Sequence, residues 1–390
     1  MCIKSHCNLL LQEPFTTIPS MWSNLPFDLL STIFSFLPPD SLVHARSACS
    51  HWNKCAMSAY AAPPDYSCRH APWFFAFPTR HRGHLCYAHN PITDNWHVLS
   101  LDFVPHPIRP IASVCGLILF RQTSTTSLRL SVCNPFTKQF KPLPLLNITR
   151  TNPAVGLIEV GPSPQVAIPQ FRVYIAGGMS EAPRGSSYET TLEMYDSQMD
   201  AWQIIGPMPV EFAVRLTVWT PNESVHSNGI IYWMTSARAY SVMGFEIGTN
   251  TWRELSVPMA DRLEFAALVW RNEKLTLVGG TCVEDAFVWE LSGDDTWSLI
   301  GKVPAELGRR FLGLKVGWGG TKCVGIDGAV CLYKDLGSGM VVWREDVEKG
   351  RWEWIWVDGC CSMRGKQVQN FPIKGVVLHP NLGASCLGLR

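Results

Sequence analysis

Apolar residues recur every four positions between residues 25 and 37, at Leu25, Leu29, Ile33 and Leu37, with Leu30 and Phe34 widening the stripe. That spacing predicts an amphipathic helix with one apolar face over about three turns. Pro26 suits a first helical turn, and Pro38-Pro39 stops the helix. Asp40 or Ser41 can cap a second helix carrying Leu42, Val43 and Ala45, and a third helical turn follows through Cys49 and Trp52. From residue 72 onward the pattern changes to short apolar or alternating runs between turn residues, which predicts strands. The chain thus reads as a small helical unit ahead of a long all-β region.

The β region repeats one phrase: a strand, an acidic residue or Asn, a short turn, then an aromatic that opens the next strand. The copies are "NPITDNW" (90–96), "NPFTKQF" (134–140), "DSQMDAW" (196–202), "EIGTNTW" (246–252), "ELSGDDTW" (290–297) and "DVEKGRW" (346–352). Their aromatics lie 44 to 62 residues apart. A period of that size points to a propeller of four-stranded blades, and the lack of helical periodicity excludes a helical solenoid. The first unit supplies only three strands, while "IKGVVLH" (373–379) is left over after the sixth. The last strand is therefore expected to complete the first blade and remove the open edges. Trp96, Trp202, Trp252, Trp297 and Trp352 are expected to pack between blades.

The helical stretch resembles the F-box over its whole length, through Leu25-Pro26-x-Asp28-Leu29-Leu30, Ile33-Phe34, Leu37-Pro38, Leu42 and Arg46-x-x-Cys49-x-x-Trp52. The resemblance implies docking on the Skp adaptor of a Skp–cullin–F-box ubiquitin ligase, and through it on cullin. It implies that Leu25, Pro26, Leu29, Ile33, Leu37, Pro38, Leu42, Val43 and Trp52 bury against the adaptor, with Arg46 and Cys49 supporting the helix packing. Phe34 stands where a Leu is commoner, and Ala48-Cys49-Ser50-His51 departs from the usual Val-Cys-Lys-x. The third β unit, with Gly177-Gly178, Tyr195-Asp196 and Trp202, resembles a kelch repeat, and the second and fourth resemble F-box-associated repeats. The expected fold is a small all-α F-box followed by an all-β six-bladed kelch-like β-propeller closed by a C-terminal strand. The expected organisation is a tail over 1–20, the F-box over 21–60, a linker over 61–71 and the propeller over 72–390.

A chain of 390 residues, 46% hydrophobic and 17% charged, is globular in composition. The net charge of +1 gives no general pull toward nucleic acid or membrane. No apolar run reaches bilayer length, and Leu9-Leu10-Leu11 is too short for a signal core, so an intracellular, cytoplasmic or nuclear, protein is expected. Fourteen cysteines scattered through strand-like runs read as buried thiols. Cys68, His70, His81, His84, Cys86 and His89 lie close in sequence, but hairpin alternation would scatter them, so no metal is expected there.

Assigning strands within each unit collects one set of loops on a face with net positive charge. Arg80, Arg82, Arg150, Arg184, Arg238, Arg309, Arg310 and Arg364 are expected to converge from different blades on its axial mouth and to bind an acidic or phosphorylated segment of a target protein. Motifs of hydrolase, nucleotide-binding and metalloprotease chemistry are missing from the sequence, which calls for no cofactor. The expected function is substrate recognition for ubiquitination by a non-catalytic subunit. The alternative is a propeller scaffold that joins the adaptor without promoting ubiquitin transfer.

Overall fold

In the computed structural model the described residues are 25–35, 37, 39–60, 71–79, 84–161, 170–182, 185–218, 224–283, 285–314, 317–326, 328–346, 350–360, 362–363, 366–367, 372–381 and 384–386. The chain divides into two compact units, Met1–Tyr60 and Ala61–Arg390.

The first unit holds helices α1 (Phe27–Ser35), α2 (Pro39–Ala48) and α3 (Ser50–Tyr60). Both α1 and α2 pack on α3. Leu30, Phe34, Leu42, Ala45, Cys55 and Ala56 form the buried set, and Phe34 meets Trp52 edge to face at 5.3 Å between ring centroids. The spaced Arg46, Cys49 and Trp52 each acquire a physical role. Arg46 Nε donates to Asn53 Oδ1 at 3.1 Å, tying α2 to α3. Cys49 Sγ accepts the Trp52 backbone N–H at 3.3 Å, capping the first turn of α3.

The second unit contains six four-stranded antiparallel sheets among its described residues, an arrangement consistent with a β-propeller. The first sheet joins Trp73–Pro78, Leu85–Asn90 and Asn95–Ser100 to the C-terminal strand Ile373–Leu378. All six residues of that last strand are in register with Trp73–Pro78. The second sheet runs from Ile108–Val114 to Gln139–Pro142, the third from Ala154–Glu159 to Ala201–Pro207, and the fourth from Val225–Ser227 to Thr251–Ser256. The fifth runs from Leu263–Arg271 to Trp297–Lys302 and the sixth from Lys322–Ile326 to Arg351–Val357. Strand 108–114 touches 154–159, which touches 225–227, and contacts continue through 263–271, 322–326 and 373–378 back to 108–114. Six buried clusters each join two neighbouring sheets.

The repeated phrase has a clear mechanical origin. Asp94, Lys138, Asp200, Asn250, Asp295 and Gly350, each two residues before the repeat aromatic, have φ between 49° and 63°. Such a left-handed residue closes a short hairpin turn, and Asn, Asp and Gly adopt that conformation most readily. The leading polar residue completes the turn: Asn90, Asn134 and Asp196 Oδ1 accept the backbone N–H two residues on. Phe140, Trp202, Trp252, Trp297, Trp352 and Trp96 then each enter a different inter-sheet cluster. Three of the indoles donate to main-chain carbonyls of the preceding sheet's end: Trp96 to Asp358, Trp202 to Pro144 and Trp297 to Ser256.

The sheet unit departs from the all-β expectation in two places. Helix α4 (Val210–Val218) connects the third sheet to the fourth, and α5 (Ala305–Leu312), expected as a loop, connects the fifth to the sixth. Each lays a few apolar residues into an inter-sheet core, Phe212, Ala213 and Leu216 from α4 and Phe311 and Leu312 from α5. Helices of nine and eight residues, little more than two turns each, are too short for sequence periodicity to stand out. The stretch 179–188 is likewise a hairpin, Met179–Ala182 with Gly185–Tyr188, which pairs with Arg150–Thr151. The double glycines Gly177-Gly178 and Gly279-Gly280 differ in conformation. Gly177 and Gly178 have φ of 65° and 92°, whereas Gly280 lies in extended strand, where a Cβ would meet Trp318 Cγ at 2.4 Å.

Candidate functional site

Two surfaces carry the chemistry, one in each unit. On α1 the apolar stripe divides. Leu30 and Phe34 are 0% and 2% exposed and serve the helical core, whereas Leu29 and Ile33 are 53% and 36% exposed. Leu29 and Ile33 are four residues apart and share a face. A helix turns about 100° per residue, which places that pair on one side of the buried stripe and Phe27, 41% exposed, on the other. Pro26 is exposed, while Leu25, Leu37 and Trp52 are half-buried. Leu42 requires a correction: it is 0% exposed, enclosed by the helices themselves, and has no surface left to bury against an adaptor. Pro38 and the Val43 side chain lie outside the described residues. Phe27 was missed because it falls outside the four-residue repeat that draws attention to Leu29 and Ile33.

The eight arginines expected on the β unit separate in the same way. Arg150 does not project to solvent. It is 1% exposed and forms an ion pair with the fully buried Glu193, and its Nη1 donates to the carbonyls of Gly177 at 3.1 Å and Thr191 at 2.7 Å. Glu193 also accepts the backbone N–H of Asn147 and Ile148. This pair fixes the 143–153 connection to the third sheet and is architecture, so Arg150 leaves the candidate set. Arg310 pairs with Asp358 at 2.9 Å and lies 4.2 Å from the ring of Trp356, in the last strand of the sixth sheet. Arg309 is exposed on α5, its Nε donating to Ala305 O, and Arg238 is exposed between two strands of the fourth sheet. Arg80, Arg82, Arg184 and Arg364 lie outside the described residues.

Nucleophile chemistry is poorly served. Seven of the described cysteines are buried, and burial pushes the Cys86 and Cys331 thiols up to about 12, far from thiolate at neutral pH. Cys360 belongs to this buried set.

Comparison with known proteins joins these observations to a family. Residues 22–60 match a family described as F-box-like. Over 331 residues the chain is 26% identical to an F-box/kelch-repeat protein of Arabidopsis thaliana, the match spanning 75% of each chain. It is 23% identical over 376 residues to the protein UNUSUAL FLORAL ORGANS of Arabidopsis thaliana, covering 87% of this chain and 79% of that one. A third relative, SKP1-interacting partner 15 of Arabidopsis thaliana, is 32% identical over 154 residues, covering 35% of this chain and 41% of its own. The chain thus carries an F-box-like domain. Over most of its length its homologues are plant proteins named F-box/kelch-repeat proteins.

Proposed function

We propose that this protein is the substrate-recognition subunit of a Skp–cullin–F-box ubiquitin ligase, with the F-box over 21–60 docking the Skp adaptor and a propeller over 72–390 holding the target. The observation that carries the reading is the division of α1: a core satisfied by Leu30 and Phe34, and beside it Leu29 and Ile33 exposed with Pro26 and Phe27. Apolar side chains held rigidly in water on a helix face are what a partner's groove covers. A relative bearing the name SKP1-interacting partner 15 supports the adaptor as that partner.

In this reading the six sheets are the blades of one closed propeller, with Ile373–Leu378 as the closing strand; the ring of inner-strand contacts supports it. Residues 1–20, read as a tail, and 61–70 of the linker read over 61–71, which contains Pro63-Pro64, lie outside the described residues. The subunit performs no bond chemistry. It raises the effective concentration of target lysines at the ubiquitin-conjugating machinery. Such a device works inside the cell, in cytoplasm or nucleus, and no helix among the described residues is long and apolar enough to cross a membrane.

The test is co-purification of the full chain and a Leu29→Asp/Ile33→Asp variant from cells with the proteasome inhibited. Adaptor and cullin are expected with the unmutated chain and lost from the variant, while other partners remain on both. An unmutated chain that brings down neither adaptor nor cullin would refute the reading.

A further inference from the structure

Three innermost strands of the β unit each place a cation at their first or second position. Arg109 is second in Ile108–Val114, Lys322 first in Lys322–Ile326 and Lys374 second in Ile373–Leu378. These strands are neighbours, from the second, sixth and first sheets. Their starts lie together: Lys322 Nζ donates to Ile373 O at 2.5 Å, and near the opposite end Ser113 Oγ donates to Val377 O at 2.6 Å, so 108–114 and 373–378 run side by side in one direction. A fourth cation, Arg121, stands directly across from Arg109 in the strand register. Like charges in that cross-strand position repel and oppose folding.

Further features of the cluster point outward to a ligand. Lys374 is 9% exposed and Lys322 half-buried, so the charges are drawn partly out of water. Burial holds the Lys322 ammonium below its usual range, and Lys374 and Arg109 push it further the same way. The acid that acts against them is Asp335, whose oxygens are already engaged by the backbone N–H groups of Gly337 and Ser338 and by Ser338 Oγ. Among the described residues neither Arg109 nor Lys322 makes an ion pair. A fold that gathers three cations at the start of its inner strands and sets a fourth across from Arg109, in the face of their repulsion, has a place for an anion.

We propose that this end of the inner strands, between the sixth, first and second sheets, binds a phosphate group through Arg109, Lys322 and Lys374. A phosphomonoester brings close to two negative charges and three acceptor oxygens, where a carboxylate brings one charge and would leave most of the repulsion uncompensated. Arg109 supplies a planar fork and the two lysines point charges from the adjoining strands. The inference deepens the reading of this face as the recognition surface and rests on it for the source of the phosphate, a phosphorylated target segment.

The experiment titrates inorganic phosphate and a phosphoserine peptide against the full chain at constant ionic strength, with the unphosphorylated peptide and chloride as blanks. Saturable binding of both phosphate probes is expected, weakened about tenfold or more by Arg109→Gln and by Lys322→Gln, roughly one charge-assisted contact each. Lys54→Gln, which removes an exposed cation from α3 of the helical unit, is expected to bind phosphate as the unmutated chain does. Arg109→Gln also relieves the cross-strand repulsion, so its Tm should not fall, which separates lost binding from lost folding. No binding by the unmutated chain, or equal weakening by Arg109→Gln and Lys54→Gln, overturns the proposal. A phosphopeptide that binds well above inorganic phosphate assigns the site to a protein segment, and equal affinities assign it to a free phosphate. The adaptor takes no part in this measurement, so its outcome and that of the co-purification fail independently.

Discussion

Adjacent leucines on α1 are expected to respond to the same truncation in opposite ways. Leu29 is 53% exposed and Leu30 is 0% exposed. Complete burial of a leucine side chain is worth about 1.5–3 kcal/mol, so the half of Leu29 still in water has about 1 kcal/mol or slightly more to give to a partner. Leu29→Ala should therefore weaken adaptor binding about five- to tenfold, and adding Ile33→Ala should take the loss toward about fiftyfold. Folding of the helices should be unaffected, because neither side chain fills their core. Leu30→Ala instead removes a fully enclosed side chain, at a cost of about 2–5 kcal/mol including the cavity. A unit of three short helices has little more stability than that in total. The assay pairs calorimetric titration of the full chain with purified Skp-type adaptor and hydrogen exchange over residues 25–60. The expected pattern is unchanged protection with weaker binding for Leu29→Ala, and lost protection for Leu30→Ala. Leu29→Ala binding as tightly as the unmutated chain, or Leu30→Ala keeping full protection, would refute the division of the stripe into core and docking face.

Deleting residues 372–390 removes the strand in register with Trp73–Pro78 and the Asn381 and Ala384 carbonyls that accept from Asn134 Nδ2, so thermal unfolding should show the whole β unit destabilised; a Tm within a degree or two of the full chain would contradict this. Arg150→Met leaves the carboxylate of Glu193 buried without its partner and should lower stability by about 3–5 kcal/mol in urea unfolding, with Arg150→Met/Glu193→Gln recovering part of the loss. The imidazole of His89 is held below the usual 6.5, by burial first and against the pull of Asp94. Its unfolded form therefore binds the proton more tightly, so the stability is present above about pH 6.5 and is lost as pH falls from there through the folded pKa. His89→Gln should flatten that part of the Tm–pH profile. Burial acts to raise the Asp200 carboxyl, but hydrogen bonds from Lys141 and Tyr195 win and hold it below 3.8, so this contribution persists above about pH 4 and disappears on further acidification, and Asp200→Asn should remove it.

The repeat was legible because one local rule generates it. A left-handed residue two places before each aromatic, closed by a side-chain turn at Asn90, Asn134 or Asp196, leaves a sequence trace wherever it occurs. The three helices of the first unit were legible through the four-residue spacing and the two prolines. Burial within that spacing was not: Leu42 and Leu29 are equally apolar, and only packing shows that one is enclosed and the other displayed. Arg150 illustrates the same limit for charge. An arginine in the loop-like phrase "NITRTN" reads as solvent-facing, yet a glutamate 43 residues later turns it inward. Helices α4 and α5 were missed because eight or nine residues with only two or three buried positions leave a weak period. The cations at the start of the inner strands escaped notice for a different reason. Arg109, Lys322 and Lys374 lie in strands far apart in sequence, and the closing strand Ile373–Leu378 is what brings them together.

The central claim is that target proteins held by the β unit are delivered to a ligase through the helical unit. Its most direct measurement is the half-life of proteins that co-purify with the chain, followed by pulse-chase in cells expressing either the unmutated chain or Leu29→Asp/Ile33→Asp. At least one bound protein should turn over faster with the unmutated chain, and the variant should hold the same protein but leave it long-lived. Equal half-lives for every shared partner would contradict it and would identify the molecule as a binding scaffold.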